Sequence, residues 1–224
     1  MIRRDYILRM IEEFMQVLSR INSLKRGQLW READDLIDAE FKRLISAGTQ
    51  AAAQMSETEL LAKIIQGEPT QGVHHKALLL TTLLKEAGDL ALAQDRAAEG
   101  RACYLKGLNL LLETLARAEV SDFPDFVPKV EAFVEALRDA PLPLNTQARL
   151  MQHYERLGEF GKAEDALFAM LEPEPHETKL VEFGISFYRR LGSHSDATLS
   201  AGNLPRAELQ AGLAELARRR RSRG

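Results

Sequence analysis

Gln147–Leu171 reads QARLMQHYERLGEFGKAEDALFAML. It predicts two short helices joined by a tight turn at Leu157-Gly158-Glu159-Phe160, the glycine marking the helix end. Part of the stretch returns further on: Tyr154-Glu-Arg-Leu-Gly158 is answered by Tyr188-Arg-Arg-Leu-Gly192, 34 residues later, counted from 154 to 188. A period of that length marks a helix–turn–helix unit that buries its apolar face against copies of itself.

Toward the C-terminus, Pro173 and Pro175 close this unit. A helix over 177–191 opens the next. Its turn is stretched, with Ser, His, Asp and Asn between Gly192 and Gly202, and Asn203-Leu-Pro205 leads into a last helix whose inner face is Leu209, Leu213 and Leu216. Toward the N-terminus, Pro141-Leu-Pro-Leu144 is a stiff connector and Asn145 a good N-cap. Pro124 and Pro128 cannot both lie inside a helix, so an odd helix is expected from about Asp125 to Leu137.

Two long helices, 73–94 and 97–118, carry small residues at helical spacing: Ala87, Gly88, Ala91, Gly100 and Gly107, with Leu84 and Tyr104 as fillers. Gly100 and Gly107 each cost ~1 kcal/mol relative to Ala in a helix, and close helix–helix packing is the expected compensation. The chain opens with helices over 5–25 and 30–45. An Ala/Gln-rich connection follows from Gly48 to Met55, then a capping box, Ser56 with Glu59, that starts a short helix to Gln66. Gly67–Gly72 reads as a loop. The expected organisation is one all-α domain over 1–217, about ten helices in antiparallel hairpins, divided 1–66, 73–118, 125–138 and 145–217, with a basic tail at 218–224.

Composition agrees. The 224 residues are 45% hydrophobic and only 6% aromatic, and Leu, Ala, Glu and Arg dominate, a mixture that favours helix. The formal net charge is −3. Five arginines between Arg218 and Arg223 carry +5, so residues 1–217 carry −8. The single cysteine, Cys103, rules out an intrachain disulfide and a thiolate metal cage. No apolar run approaches the ~18 residues of a membrane span, and no apolar segment follows the N-terminal Arg pair as in a signal peptide. A cytoplasmic protein with no membrane partner is expected.

Three stretches, 81–112, 144–175 and 178 onward, resemble the tetratricopeptide superfamily. In the middle one the match rests on Leu150, Tyr154, Gly158, Phe160, Ala163 and Pro175, while Met151 and Met170 stand where small residues are usual. The insertion after Gly192 is a further departure. The resemblance implies a right-handed stack of hairpins, a tetratricopeptide-like α-solenoid with a concave groove. Nearly the whole chain is also similar to an uncharacterised bacterial helical family known only as a domain of unknown function. The match rests on Met1–Glu12, Lys162–Phe168, Phe187-Tyr188, Ser195-Asp196, Asn203–Glu208 and Gly212-Leu213. It speaks for the fold and implies no chemistry.

No catalytic, cofactor or metal set is evident. His74 and His75 are adjacent and point about 100° apart on a helix, so they do not share a metal, and exposed or loop positions are expected. Gly158-Glu-Phe-Gly161-Lys162 has two residues between its glycines where a phosphate loop has four, and Ala163 follows instead of Ser or Thr. The carboxylates Glu32, Asp34, Asp35, Asp38 and Glu40 read as a solvated helix face in preference to a cation site. Cys103 reads as a packed thiol.

The leading expectation is a non-enzymatic interaction or scaffold module, monomer or homodimer, that needs no cofactor. With Tyr154 and Tyr188 set inward, the groove-facing candidates are Lys85, Gln152, Arg156, Lys179, Arg189 and Arg190, accompanied by Asp89, Glu155, Glu182 and Ser186. Members of the superfamily that bind chaperone tails clamp a terminal carboxylate with a Lys and an Asn. Asp89 stands in place of that Asn, so this activity is not expected. The lane is weakly basic and suits an acidic or phosphorylated segment. The competing expectation is a nucleic-acid-associated factor using Arg218–Arg223, although no aromatics are interleaved with the arginines.

Overall fold

The computed structural model describes residues 2–66, 70–117 and 124–221. Among them are twelve helices and no strand: α1 Ile2–Arg26, α2 Trp30–Ile45, α3 Thr49–Gln54, α4 Glu57–Ile65, α5 Thr70–Ala93, α6 Ala97–Arg117, α7 Val130–Ala136, α8 Leu144–Leu157, α9 Phe160–Leu171, α10 Thr178–Leu191, α11 Asp196–Ala201 and α12 Arg206–Arg221. The all-helical expectation holds. The two helices beyond the expected ten are α3 and α11, each of six residues. Both lie inside stretches whose composition reads as connection. A neighbour or a cap orders each of them. Asp38 of α2 accepts the Thr49 amide at 2.8 Å at the start of α3. Ser195 accepts the Thr198 amide at 3.1 Å at the start of α11.

Contacts divide the chain into two compact units, Met1–Ala140 and Pro141–Gly224, with the boundary at the proline connector. In the first unit α5 is the hub. Lys76 to Leu84 is buried without interruption, and α1, α2, α3, α4 and α6 all pack on this helix. A helix that is apolar on every side is stable only when enclosed. α1 adds Met10, Phe14, Leu18 and Ile21, and α2 adds Ala33, Ile37, Phe41 and Leu44. α6 lies along α5 after a three-residue turn, so the two form an antiparallel hairpin.

The small-residue seam forms between these two helices. A Cβ placed on Gly100 would stand 3.1 Å from the Gly88 carbonyl, and one placed on Gly107 would stand 3.3 Å from the Leu84 Cβ and 2.6 Å from the Phe133 ring of α7. Cys103 is buried beside the seam.

Several boundaries differ from those expected, each for a local reason. Thr70, Gln71 and Gly72 belong to α5 and not to the expected loop, and residues 67–69 lie outside the described set. His74 and His75 are therefore helical and half-buried, neither exposed nor in a loop. α7 starts at Val130 and not near Asp125. Val127 closes a turn on the Pro124 carbonyl at 2.9 Å, and Pro128 disfavours helical geometry at the residue before it. Residues 118–123, which precede Pro124, lie outside the described set. Asn145 is not the cap of α8. Pro143 holds that position with an extended backbone, and its carbonyl accepts the Thr146 and Gln147 amides at 2.9 and 3.0 Å. The capping box of α4 is present with both reciprocal bonds.

In the second unit α8 packs on α9, α9 on α10, and α10 on α12. The α8–α9 turn is the one expected, with Gly158 in the left-handed region at φ 76° and no atom near its absent Cβ. The inserted stretch after α10 is held by Arg206. Its guanidinium donates to the carbonyls of Gly192 and His194 and pairs with Asp196 at 2.7 Å. α12 runs on through Arg218–Arg221, so the first four tail arginines are helical and not a separate tail; residues 222–224 are outside the described set.

Candidate functional site

Tyr154 and Tyr188 are both buried, and Tyr188 is fully buried with its hydroxyl donating to Glu164. Burial pushes this phenol well above its ordinary range, helped by the Glu164 carboxylate. With the two tyrosines fixed inward, the opposite faces of α8 and α10 are exposed: Gln152 and Arg156 on one helix, Lys179, Glu182, Ser186, Arg189 and Arg190 on the other. The spacing of three and four places each set on one face of its helix.

One contact holds the two faces side by side. The Arg190 guanidinium donates through Nε and Nη2 to both Glu155 oxygens, at 2.9 and 2.8 Å. Glu155 is the more covered partner, with 19% side-chain exposure against 50% for Arg190. The hydrogen bond to Glu155 holds the Arg190 charge in place and raises its already high pKa. Because Glu155 and Arg190 both lie near the ends of their helices, the C-terminal ends of α8 and α10 are level. Arg190 is therefore committed within the fold. Arg156 lies back along its own helix, its Nε 3.4 Å from the Gln152 carbonyl. Lys179 and Arg189 are exposed, and neither takes part in an ion pair among the described residues.

Lys85 is placed differently. It belongs to the first unit, and its ammonium is 2.8 Å from Asp89 of its own helix. Asp89 also accepts from Tyr104 of α6 at 2.8 Å and is 3.2 Å from Lys25, which in turn meets Glu86 at 2.7 Å. Lys85 and Asp89 are thus joined to a partly buried network that ties α1, α5 and α6 together. Sequence gave no sign of this, since Lys25 enters from 60 or more residues away and reads only as a cation suited to a helix C-terminus.

The acidic face of α2 is also built into the fold. The Arg96 guanidinium takes both oxygens of Asp34 at 2.9 and 2.8 Å and reaches Glu99 at 2.7 Å. Asp38 accepts from Thr49 and pairs with Lys42 at 2.6 Å, and Arg43 takes Glu40. A cleft of about 530 Å³ opens between α2, α3 and α6, with Asp34, Asp38, Arg96 and Cys103 in its lining. Most of its charge is already paired. No cluster of metal-ligand type occurs among the described residues.

Burial pushes the Cys103 thiol up to about 11, with the Glu99 charge adding to the effect. Only the thiolate is nucleophilic. Native protein at pH 8 should therefore resist alkylation by iodoacetamide, while unfolded protein should react at the rate of an ordinary cysteine. A protection of roughly a hundredfold is expected from the thiolate fraction alone, and equal rates would show an open thiol.

The basic end of α12 is partly spent. Arg219 donates to Glu215 at 2.9 Å and stands 5.9 Å over the Phe168 ring, and Arg218 also pairs with Glu215. No helix among the described residues is long and apolar enough to cross a membrane.

The described residues thus form an all-α protein with exposed charged side chains on α8 and α10. The chain belongs to the family of unknown function DUF6483, which it matches over residues 1–221. No curated protein and no solved structure matches it.

Proposed function

We propose that the chain is a non-enzymatic interaction module, a cytoplasmic protein of tetratricopeptide-like hairpins, whose α8 and α10 faces receive an acidic or phosphorylated segment of a partner protein. The observation that carries this reading is the Arg190–Glu155 pair, which aligns two exposed helix faces while leaving Lys179 and Arg189 uncommitted. Ten residues of helix separate these two cations, about 15 Å at the helical rise. An extended segment of about five residues spans that length. Two acidic groups so spaced would meet both cations. Glu182 lies between them and keeps the lane from accepting every polyanion.

The test is a binding screen with acidic and phosphorylated peptides, followed by the double variant Lys179→Glu with Arg189→Glu. Both residues are exposed and outside the internal ion pairs, so folding should be unaffected. Affinity should fall at least roughly tenfold, the effect of losing two charge-assisted contacts. A folded double variant that binds as tightly as the wild type would remove the lane. Binding to random nucleic acid that disappears in a 1–217 truncation would favour the arginine end instead and overturn the peptide reading. Arg190→Ala is less informative because it also frees Glu155.

A further inference from the structure

Helix α1 carries two apolar rows, and the first unit uses one of them. Met10, Phe14 and Ile21 are buried in the core, with Val17 and Leu24 packed against it. The second row runs beside the first: Leu8, Ile11, Met15 and Leu18, at steps of three, four and three that place them on one face. Leu18 is covered and Ile11 half-buried, but Leu8 is 49% and Met15 41% exposed. Large apolar side chains one heptad apart, with another between them, are the spacing by which a helix receives a second helix. Asp5 and Glu12, also seven residues apart, stand along the solvent side of this row. Both are exposed, and neither side chain takes part in a hydrogen bond or ion pair among the described residues.

We propose that this face of α1 docks a basic amphipathic helix of a partner protein. The apolar row of that helix lies over Leu8, Ile11 and Met15, and its lysines or arginines meet Asp5 and Glu12. The two uncommitted carboxylates select the sign of the incoming flank, because a like charge set against them is repelled. The same residues argue against a second copy of this chain as the occupant. Two such rows fit best antiparallel, with Leu8 opposite Leu18 and Ile11 opposite Met15, and that register sets Glu12 beside the Glu12 of the second copy. Parallel pairing brings both acidic flanks to one level and aligns the two helix dipoles. In the sequence the two rows merge into one broad stripe, and burial separates the row the fold uses from the row it leaves open. The face belongs to the first unit and is independent of the α8–α10 lane.

The experiment titrates the full chain into two fluorescent peptides of three leucine heptads, one with lysine and one with glutamate at the flanking positions, and reads anisotropy at near-physiological salt. The lysine peptide should bind saturably and at least roughly tenfold more tightly than the glutamate peptide. Leu8→Gln with Met15→Gln, both at exposed positions, should weaken that binding at least roughly tenfold. Glu12→Lys should narrow or reverse the preference between the two peptides. Circular dichroism checks that each variant keeps its helix content. Equal binding of the two peptides overturns the proposal, as does binding of neither, or an unchanged affinity in the folded double variant. Reversible dimerisation of the wild-type chain that the double variant abolishes also overturns it, and assigns the face to a second copy.

Discussion

Gly107→Leu should destabilise the protein by on the order of 3 kcal/mol, the upper part of the range for overpacking a core. Helix propensity alone argues the other way, since replacing an internal helical glycine gains up to ~1 kcal/mol. Packing decides the sign. A Cβ at residue 107 would already stand 2.6 Å from Phe133 Cε1 and 3.3 Å from the Leu84 Cβ, against ~3.5–4.0 Å for relaxed carbon contacts. Phe133 is fully buried, so its ring cannot swing into solvent. Leu84 is fully buried on the other side. A leucine adds three more carbons to a space that does not admit the first. Urea unfolding of Gly107→Leu measures the loss, and Gly107→Ala should lie between it and the wild type. The pair Gly107→Ala with Phe133→Leu should cost less than the sum of the two single changes, because the smaller side chain gives up the space the methyl needs. A neutral or stabilised Gly107→Leu would mean that α5, α6 and α7 do not meet here.

The same residue shows what could be read from sequence and what could not. Glycines at 100 and 107 inside an otherwise good helix announce a close approach, because nothing local compensates their propensity cost. That reasoning located the α5–α6 seam. It did not identify Phe133, whose helix begins five residues later than Pro124 alone suggested. Hairpins were legible because apolar period and turn glycines are local signals. The short helices α3 and α11 were not, because α3 is started by Asp38 of a neighbouring helix and α11 by the Ser195 cap, and composition distinguishes neither stretch from a loop. The exposure of Gln152, Arg156, Lys179, Arg189 and Arg190 follows from the pattern once Tyr154 and Tyr188 are set inward. What the pattern hid was commitment. Arg190, Lys85 and Asp89 look as available as Lys179 and Arg189, yet the first three are held by partners in the fold. Ion pairs spanning 35 to 64 residues leave no periodic trace.

Lys25→Met should lower stability at pH 7 by about 3 kcal/mol, the low end for removing one partner of a buried charge pair, because Lys25 keeps 20% side-chain exposure. Methionine preserves most of the aliphatic stem, so the loss reports the ammonium. Glu86, with only 11% exposure, is then left without its 2.7 Å partner, while Asp89 retains Lys85 and Tyr104. The pH dependence separates charge from packing. Burial alone would lower the Lys25 pKa, but the hydrogen bond and charge of Glu86, with Asp89 behind it, raise it above its ordinary 10.5. A raised folded pKa gives stability that is complete below 10.5 and is lost as pH climbs through the folded value. Asp89 has the opposite sign. Burial would raise its pKa, yet the bond from Lys85, the Lys25 charge and the Tyr104 hydroxyl together hold it below its ordinary 3.8. Its contribution is present above 3.8 and is lost as pH falls through the depressed value. The gap between wild type and Lys25→Met should therefore be widest between about pH 5 and 9. It should narrow as pH falls below 3.8 and Asp89 protonates, and again above 10.5 as the amine deprotonates. Urea unfolding of both proteins at pH 3, pH 7 and the highest pH at which they remain folded gives the three points. A gap of the same size at all three would assign the loss to the lysine stem, and would leave the α1–α5–α6 network without an electrostatic role.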